Sequence, residues 1–293
     1  MTAAEFVYTV LLRPRALKNL ANSMLRLIAK RELHIHGAVV ALNPDDPVVS
    51  GALTLGVYER AETRFFRLAC RPGTIFLDVG ANVGYYTALA MQRLQSSGAI
   101  VAMEPDPESY SYLLKTVALN GEARVTCVRK AAASETGEAI LFVSRDNRGD
   151  NRLYANDLST DSLRVPAIAV DDLLAELGIQ QVNLVKIDVQ GFEGHVLRGM
   201  ERTIINSPSV IILMEFWPHG LQAAGYEPAQ IFTWCERMGL EVFTLARDGR
   251  LQVLERPDAV IRDHPGRKYT NLVAVKGVSF LDELRSRRGT SRA

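Results

Sequence analysis

At 293 residues the chain is long enough for one large domain with an added segment, or for two small ones, and its 47% hydrophobic and 23% charged residues are the balance of a globular protein. A formal net charge of +1 excludes the electrostatic footprint of a dedicated nucleic-acid binder. No run reaches the roughly 18 apolar residues of a membrane span, Met1–Leu12 lacks the basic start and cleavage site of a secretory signal, and Cys70, Cys127 and Cys235 form no metal-binding spacing, so a cytoplasmic protein with reduced thiols is expected.

Over residues 3–33, Leu11, Leu12, Leu17, Leu20, Met24, Leu25, Leu27 and Ile28 recur at helical spacing with arginines and lysines between them. This predicts an N-terminal helical arm, which packs on the domain or lies as a basic helix against an anionic membrane surface. With the linker around Pro44 and Pro47 it makes a first unit, 1–47. A helical pattern follows over 48–70, and Arg71-Pro72-Gly73 is a turn.

From there strand-like runs alternate with helical ones. Strands are expected at 74–79, 99–103, 124–128, 183–189 and 209–216, with helices at 85–94, 108–120, 171–177, from 190 to about 205, and 228–238. The alternation predicts a parallel, doubly wound α/β sheet. Residues 139–143 and 164–170 form an added strand pair around a polar loop. Late strands at 241–246, 251–254 and 272–275 predict an antiparallel edge. The main domain is therefore 48–278, and 279–293 is a flexible tail.

The most informative stretch is Asp78-Val79-Gly80-Ala81-Asn82-Val83-Gly84, between the first strand and its helix. Gly80 and Gly84 let the backbone turn tightly beside a ligand at the carboxyl edge of the strand. The GxGxxG dinucleotide fingerprint would need glycine at 82, where the chain has Asn82, and a phosphate would be repelled by Asp78. A cofactor with an amino-acid end suits the turn better: its carboxylate meets helix-start N–H groups and its ammonium meets an acidic side chain. S-adenosylmethionine has both. Glu104, ending the second strand, has the position of a ribose-binding carboxylate.

These runs (FLDVGANVGYYT at 76–87, AMEPDPESY at 102–110, KIDVQGFE at 186–193 and NLVAVK at 271–276) together resemble the FkbM-type methyltransferases, over roughly residues 50–276. The resemblance implies a class I methyltransferase fold, a Rossmann-like, mostly parallel sheet of seven strands, and S-adenosylmethionine-dependent O-methylation. It further implies that Asp78, Gly80, Ala81, Asn82 and Gly84 hold the methionine end, that Glu104 and Pro105 lie at the ribose, and that Ala131 lies where the adenine passes. The pattern often has Glu where this chain has Gln190.

Methyl transfer to an alcohol needs alignment and a base, because the hydroxyl is a poor nucleophile. Asp188, Glu215 and His219 reach the carboxyl edge of the central strands and are the candidate catalytic residues. Lys186 alternates onto the same face as Asp188, so an ion pair is expected. The same three candidates would suit a divalent ion chemically, but their spacing is no metal motif, and none is expected. Asn147, Asn151 and Arg152 in the polar loop, with Trp217, are candidates for a small-molecule or carbohydrate acceptor. A non-catalytic cofactor-binding module and a nicotinamide-dependent oxidoreductase are the competing readings. Nucleic-acid methylation is disfavoured by the absence of an Asn-Pro-Pro-aromatic stretch and of basic charge.

Overall fold

The computed structural model describes residues 31–285 apart from 45, 55, 57, 122–123, 145–146 and 156–160. The arm expected over 3–33 falls almost wholly outside these residues. What is described of the first unit is a β-hairpin: Glu32–Ile35 (β1) pairs antiparallel with Ala38–Ala41 (β2). His36 and Gly37 both have positive φ, 51° and 85°, the twist that a two-residue hairpin turn requires. The helical pattern at 48–70 is two helices, Pro47–Thr54 (α1) and Arg60–Ala69 (α2), broken where Glu59 takes a left-handed conformation.

The alternating region follows the expected order: Ile75–Val79 (β3), Tyr85–Leu94 (α3), Ala99–Met103 (β4), Pro107–Leu119 (α4) and Val125–Val128 (β5). Ala131–Ala133 (β6), Gly137–Val143 (β7) and Asp161–Ala169 (β8) make a separate three-stranded sheet. Then come Val170–Glu176 (α5), Leu184–Ile187 (β9), Glu193–Arg198 (α6), Glu201–Asn206 (α7), Val210–Phe216 (β10), Pro218–Ala223 (α8) and Ala229–Arg237 (α9). Glu241–Leu245 (β11), Leu251–Val253 (β12), Pro257–Asp263 (α10), Thr270–Lys276 (β13) and Leu281–Arg285 (α11) complete the described chain. Leu284 of α11 is buried, so the start of the expected tail packs on the domain.

The central sheet runs β12-β11-β13-β10-β9-β3-β4-β5. β10, β9, β3, β4 and β5 are parallel, while β13 is antiparallel to both β10 and β11. These seven strands carry the expected fold, and β12 adds a short hairpin strand at the edge. Alternation sends Leu77, Val79, Val101 and Met103 into one core, with α5, α6, α7 and α9, and Phe76, Ile100, Leu184 and Leu213 into the other, with α2 and α3. Strand order reverses between β3 and β9, so a crevice opens at their carboxyl ends. Among the described residues no helix is long and apolar enough to cross a membrane.

Candidate active site

A cavity of about 400 Å³ lies in that crevice. One end is lined by Gly80, Asn82, Glu104, Pro105 and Ala131, the other by Tyr58, Glu59, Asp188, Gln190, Glu215 and Tyr269. Asn147, Arg148, Gly149 and Asn151 also line it.

Gly80 has φ +82°, and a Cβ there would sit 1.9 Å from the Asp188 carbonyl oxygen, so only glycine lets the two loops meet. The turn's own amides are bonded within the protein. The amides of Gly80 and Ala81 donate to Met103 O at 3.0 and 2.9 Å, and that of Asn82 donates to Glu104 Oε2 at 2.9 Å. These three N–H groups are spent on holding the turn to β4. What faces inward is the Asn82 side chain, whose Oδ1 is buried without a hydrogen-bond partner among the described residues. The Cβ of an alanine at Gly84 would point at Leu113 and Thr116 of α4, so Gly84 serves helix packing and does not line the cavity.

Asp78 is 1% exposed, accepts the Thr87 hydroxyl at 2.6 Å, and with Ala81 lines a small neighbouring space that adjoins the main cavity. Burial pushes its carboxyl up to about 6, against the Thr87 bond and the nearby Lys186. Glu104 accepts from Asp106 N at 2.8 Å as well as from Asn82 N. Burial raises it to about 8 despite those two bonds. Each oxygen keeps a second lone pair for a hydroxyl donor.

At the other end, β9 places Lys186 and Asp188 on one face, as alternation predicts. Lys186 Nζ donates to Asp188 Oδ2 at 3.2 Å and is 2% exposed. Burial opposes its charge, but Asp188, Glu59 and Glu215 override that and push the ammonium's pKa up. Gln190 Nε2 donates to Asp188 Oδ1 at 2.8 Å and approaches Glu215 Oε2 at 3.3 Å. The amide thus bridges two carboxyls where a second acid would repel them. Burial, then Asp188 and Glu193, raise Glu215 well above the carboxylate range. Glu193 is fully buried and its Oε1 accepts the amides of Val189 and Gly191, fixing the loop that carries Asp188 and Gln190.

Besides Gly84, three candidates lie away from the cavity. His219 is exposed on α8, with its ring 5.8 Å from that of Trp217. Trp217 is buried against protein and donates to Gly266 O. Arg152 pairs with Asp150 and lies over the Trp217 ring at 4.6 Å. Strand β10 ends at Phe216 and Pro218 opens α8 at its first position, so these residues leave the strand edge. Conversely, sequence reasoning did not single out Arg148. Its Nη1 reaches both Asp106 oxygens at 3.0 and 3.1 Å, its Nη2 pairs with Glu108, and its backbone N donates to Asp46. Arg148 clamps the polar loop across the cavity mouth. Tyr58, Glu59 and Tyr269 were also missed, because they come from segments remote in sequence from the glycine turn. Among the described residues no cluster of His, Cys, Asp or Glu is arranged to hold a metal.

The strand order with its antiparallel β13, the glycine turn touching the β9 loop, and a carboxylate ending β4 define a class I methyltransferase, whose cofactor is S-adenosylmethionine. The unpartnered Asn82 Oδ1 and the open lone pairs of Glu104 fit that cofactor's ammonium and ribose donors. Residues 78–242 match the model of the methyltransferase FkbM domain, and the chain belongs to that family.

Among relatives, Methyltransferase 1 of Beauveria bassiana is 27% identical over 147 residues, 44% of this chain and 59% of that protein. The hexuronic acid methyltransferase AglP of Haloferax volcanii is 24% identical over 177 residues, 59% of this chain and 67% of that protein. A solved FkbM methyltransferase from Methylobacillus flagellatus aligns with TM-score 0.43 and 12% identity, covering 90% of this chain and 60% of that one. The chain thus spans about three-fifths of the length of the Beauveria relative and of that structure.

Proposed function

We propose that the protein methylates a hydroxyl oxygen of a small molecule or glycan, with Asp188 as the base. The observation that carries this reading is the continuity of one cavity from Glu104 to the Lys186–Asp188–Gln190 group. The methyltransferase names of the relatives support it, and a hexuronic acid acceptor named for one of them is consistent with a carbohydrate.

When bound, S-adenosylmethionine supplies an electrophilic methyl carbon on a cationic sulfur. Glu104 would hold the ribose hydroxyls, with Pro105 beside them. Asn82 Oδ1 and Asp78 would meet the ammonium, and Ala131 would lie against the adenine. Asp188 would take the proton of the acceptor hydroxyl. Lys186 holds one oxygen of Asp188 and Gln190 the other. Glu215, sharing Gln190, faces the acceptor, while Asn147 and Asn151 close over it. Closure by the Arg148-clamped loop excludes water.

The test is calorimetry with S-adenosylmethionine and S-adenosylhomocysteine, paired with methyl-transfer assays on a panel of hydroxylated acceptors. Glu104→Ala should weaken cofactor binding sharply. Asp188→Asn should cut turnover by roughly a hundredfold or more while leaving cofactor affinity within a few-fold. Unchanged turnover in Asp188→Asn removes it as base, and absence of cofactor binding by the parent protein overturns the whole reading.

A further inference from the structure

The acceptor end of the cavity carries more carboxyls than cations. Glu59, Asp188 and Glu215 line it. Lys186, the cation beneath them, is bonded to Asp188 and does not itself line the main cavity. The other two cations on the cavity wall are committed elsewhere: Arg148 to Asp106 and Glu108, and Lys130, 3.9 Å from Glu176.

Glu215 is the telling group. It is 8% exposed, Oε2 has only the 3.3 Å approach of the Gln190 amide, and Oε1 has no hydrogen-bond partner among the described residues. Glu215 lines the cavity, so a donor on an acceptor molecule can reach this carboxyl. Glu59 stands opposite in a conformation unfavourable to any residue but glycine, φ +37°. The Tyr86 hydroxyl donates to its Oε2, and the residue lines the cavity. Glu215 is on β10, two strands from β3 and its glycine turn. At about 4.8 Å per strand it lies on the order of 10 Å from that turn, on the acceptor side.

Resting on the O-methyltransferase reading above, we propose that the acceptor carries a protonated amino group near the hydroxyl to be methylated, and that Glu215 and Glu59 receive it. An ammonium offers three N–H donors and a full charge where Glu59, Asp188 and Glu215 have only the Lys186 ammonium among them. Lys186, Asp188, Gln190, Glu193 and Tyr269 are the other polar or titratable groups around Glu215. Burial raises the pKa of the Glu215 carboxyl before the amine arrives, and the ammonium's charge lowers it again. Binding therefore releases a proton to the buffer. An anionic sugar would meet three carboxyls that have only the Lys186 ammonium among them.

The experiment uses the full chain saturated with S-adenosylhomocysteine. Calorimetry compares an aminodeoxyglucoside, its N-acetyl form, the parent glucoside and the matching glucuronide, in buffers of different ionisation enthalpy. The amine is expected to bind at least about tenfold more tightly than the other three, with proton release at pH 7. The isosteric Glu215→Gln should erase that preference and the proton release while S-adenosylhomocysteine affinity stays within a few-fold. Glu59→Gln should reduce the preference, with melting curves verifying that both variants fold. Equal or tighter binding of a neutral or anionic sugar overturns the proposal, as does an amine preference that survives Glu215→Gln. Loss of S-adenosylhomocysteine affinity in Glu215→Gln would assign that carboxyl to the cofactor. If S-adenosylhomocysteine binds and no amine does, the amine proposal alone fails. If S-adenosylhomocysteine itself does not bind, the methyltransferase reading fails.

Discussion

Gly80→Ala is the sharpest perturbation of the site. The added Cβ would lie 1.9 Å from Asp188 O and 2.9 Å from its carbonyl carbon, both backbone atoms. Ordinary carbon–oxygen contact is about 3.4 Å, so the Asp188 carbonyl must withdraw by roughly 1.5 Å or the turn must open equally. The φ of +82° adds about 1–2 kcal/mol for an L side chain. Overpacking adds about 1–3 kcal/mol. The sum, about 2–5 kcal/mol, corresponds to a fall in melting temperature of roughly 5–15 °C. Because the displaced residue is the proposed base, turnover should drop by on the order of a hundredfold even at temperatures where the variant is folded. Gly84→Ala is the control. It has a similar φ, +85°, but its Cβ would meet side-chain atoms, Leu113 Cδ1 at 2.8 Å and Thr116 Cγ2 at 3.2 Å. It should lose stability and keep turnover within a few-fold. Thermal melts and methyl-transfer rates on both variants decide the matter. If Gly80→Ala loses no more turnover than Gly84→Ala at matched fraction folded, the contact between the two loops is not what positions Asp188.

The buried carboxyls set the pH dependence of stability. Asp78, Glu193 and Glu104 are raised by burial to about 6, about 7 and about 8. The folded state therefore holds protons that the unfolded chain has released, and this contribution is full below about pH 4 and lost as pH rises through those values. Each such proton lowers stability by up to about 1.4 kcal/mol per pH unit, so denaturant midpoints of the ligand-free protein should fall between pH 5 and 8; a flat or rising profile refutes the assignment. Arg148→Ala removes the pairs to Asp106 and Glu108 and leaves the Asp106 carboxylate, 1% exposed, without its cation. S-adenosylhomocysteine affinity should weaken by about tenfold, mostly through faster release, as stopped-flow displacement would show; an unchanged release rate means that the loop does not close on the cofactor.

Much of this was legible in the sequence because the signals were local. Buried parallel strands read as short apolar runs, Gly80 and Gly84 mark the turn, and alternation alone put Lys186 beside Asp188. The features that escaped depend on distance or on weak local chemistry. The apolar spacing continues from Leu53 to Phe66 straight through the break at Glu59, so the pattern hid the residue that reaches the cavity. A hairpin of two four-residue strands joined by His36 and Gly37 offers too little periodicity to stand out from a linker. The amides of Gly80, Ala81 and Asn82 are bonded to Met103 and Glu104, partners set by the neighbouring strand and not visible in the turn's own sequence. Arg148 looked like one polar loop residue among eight, and its meaning came from Asp46 and Asp106, which are distant in the chain.

The topology explains why donor and acceptor functions separate along one cavity. Strand order reverses between β3 and β9, so the loops that follow these two strands diverge to opposite sides while their first residues stay in contact. Gly80 and Asp188 are those first residues, and the missing Cβ lets them approach to a distance no other side chain permits. The proposed cofactor groups and base all lie within the family-matched segment 78–242. Tyr58, Glu59 and Tyr269, which close the acceptor end, lie outside it. Tyr58 and Glu59 belong to the break between α1 and α2, and Tyr269 to the approach to β13, and neither contributes to the parallel strand edges. Substitution in these two segments can therefore change which acceptor fits without moving the atoms that hold the methyl donor. An exchange of Tyr58 and Glu59 should accordingly shift acceptor preference far more than cofactor affinity.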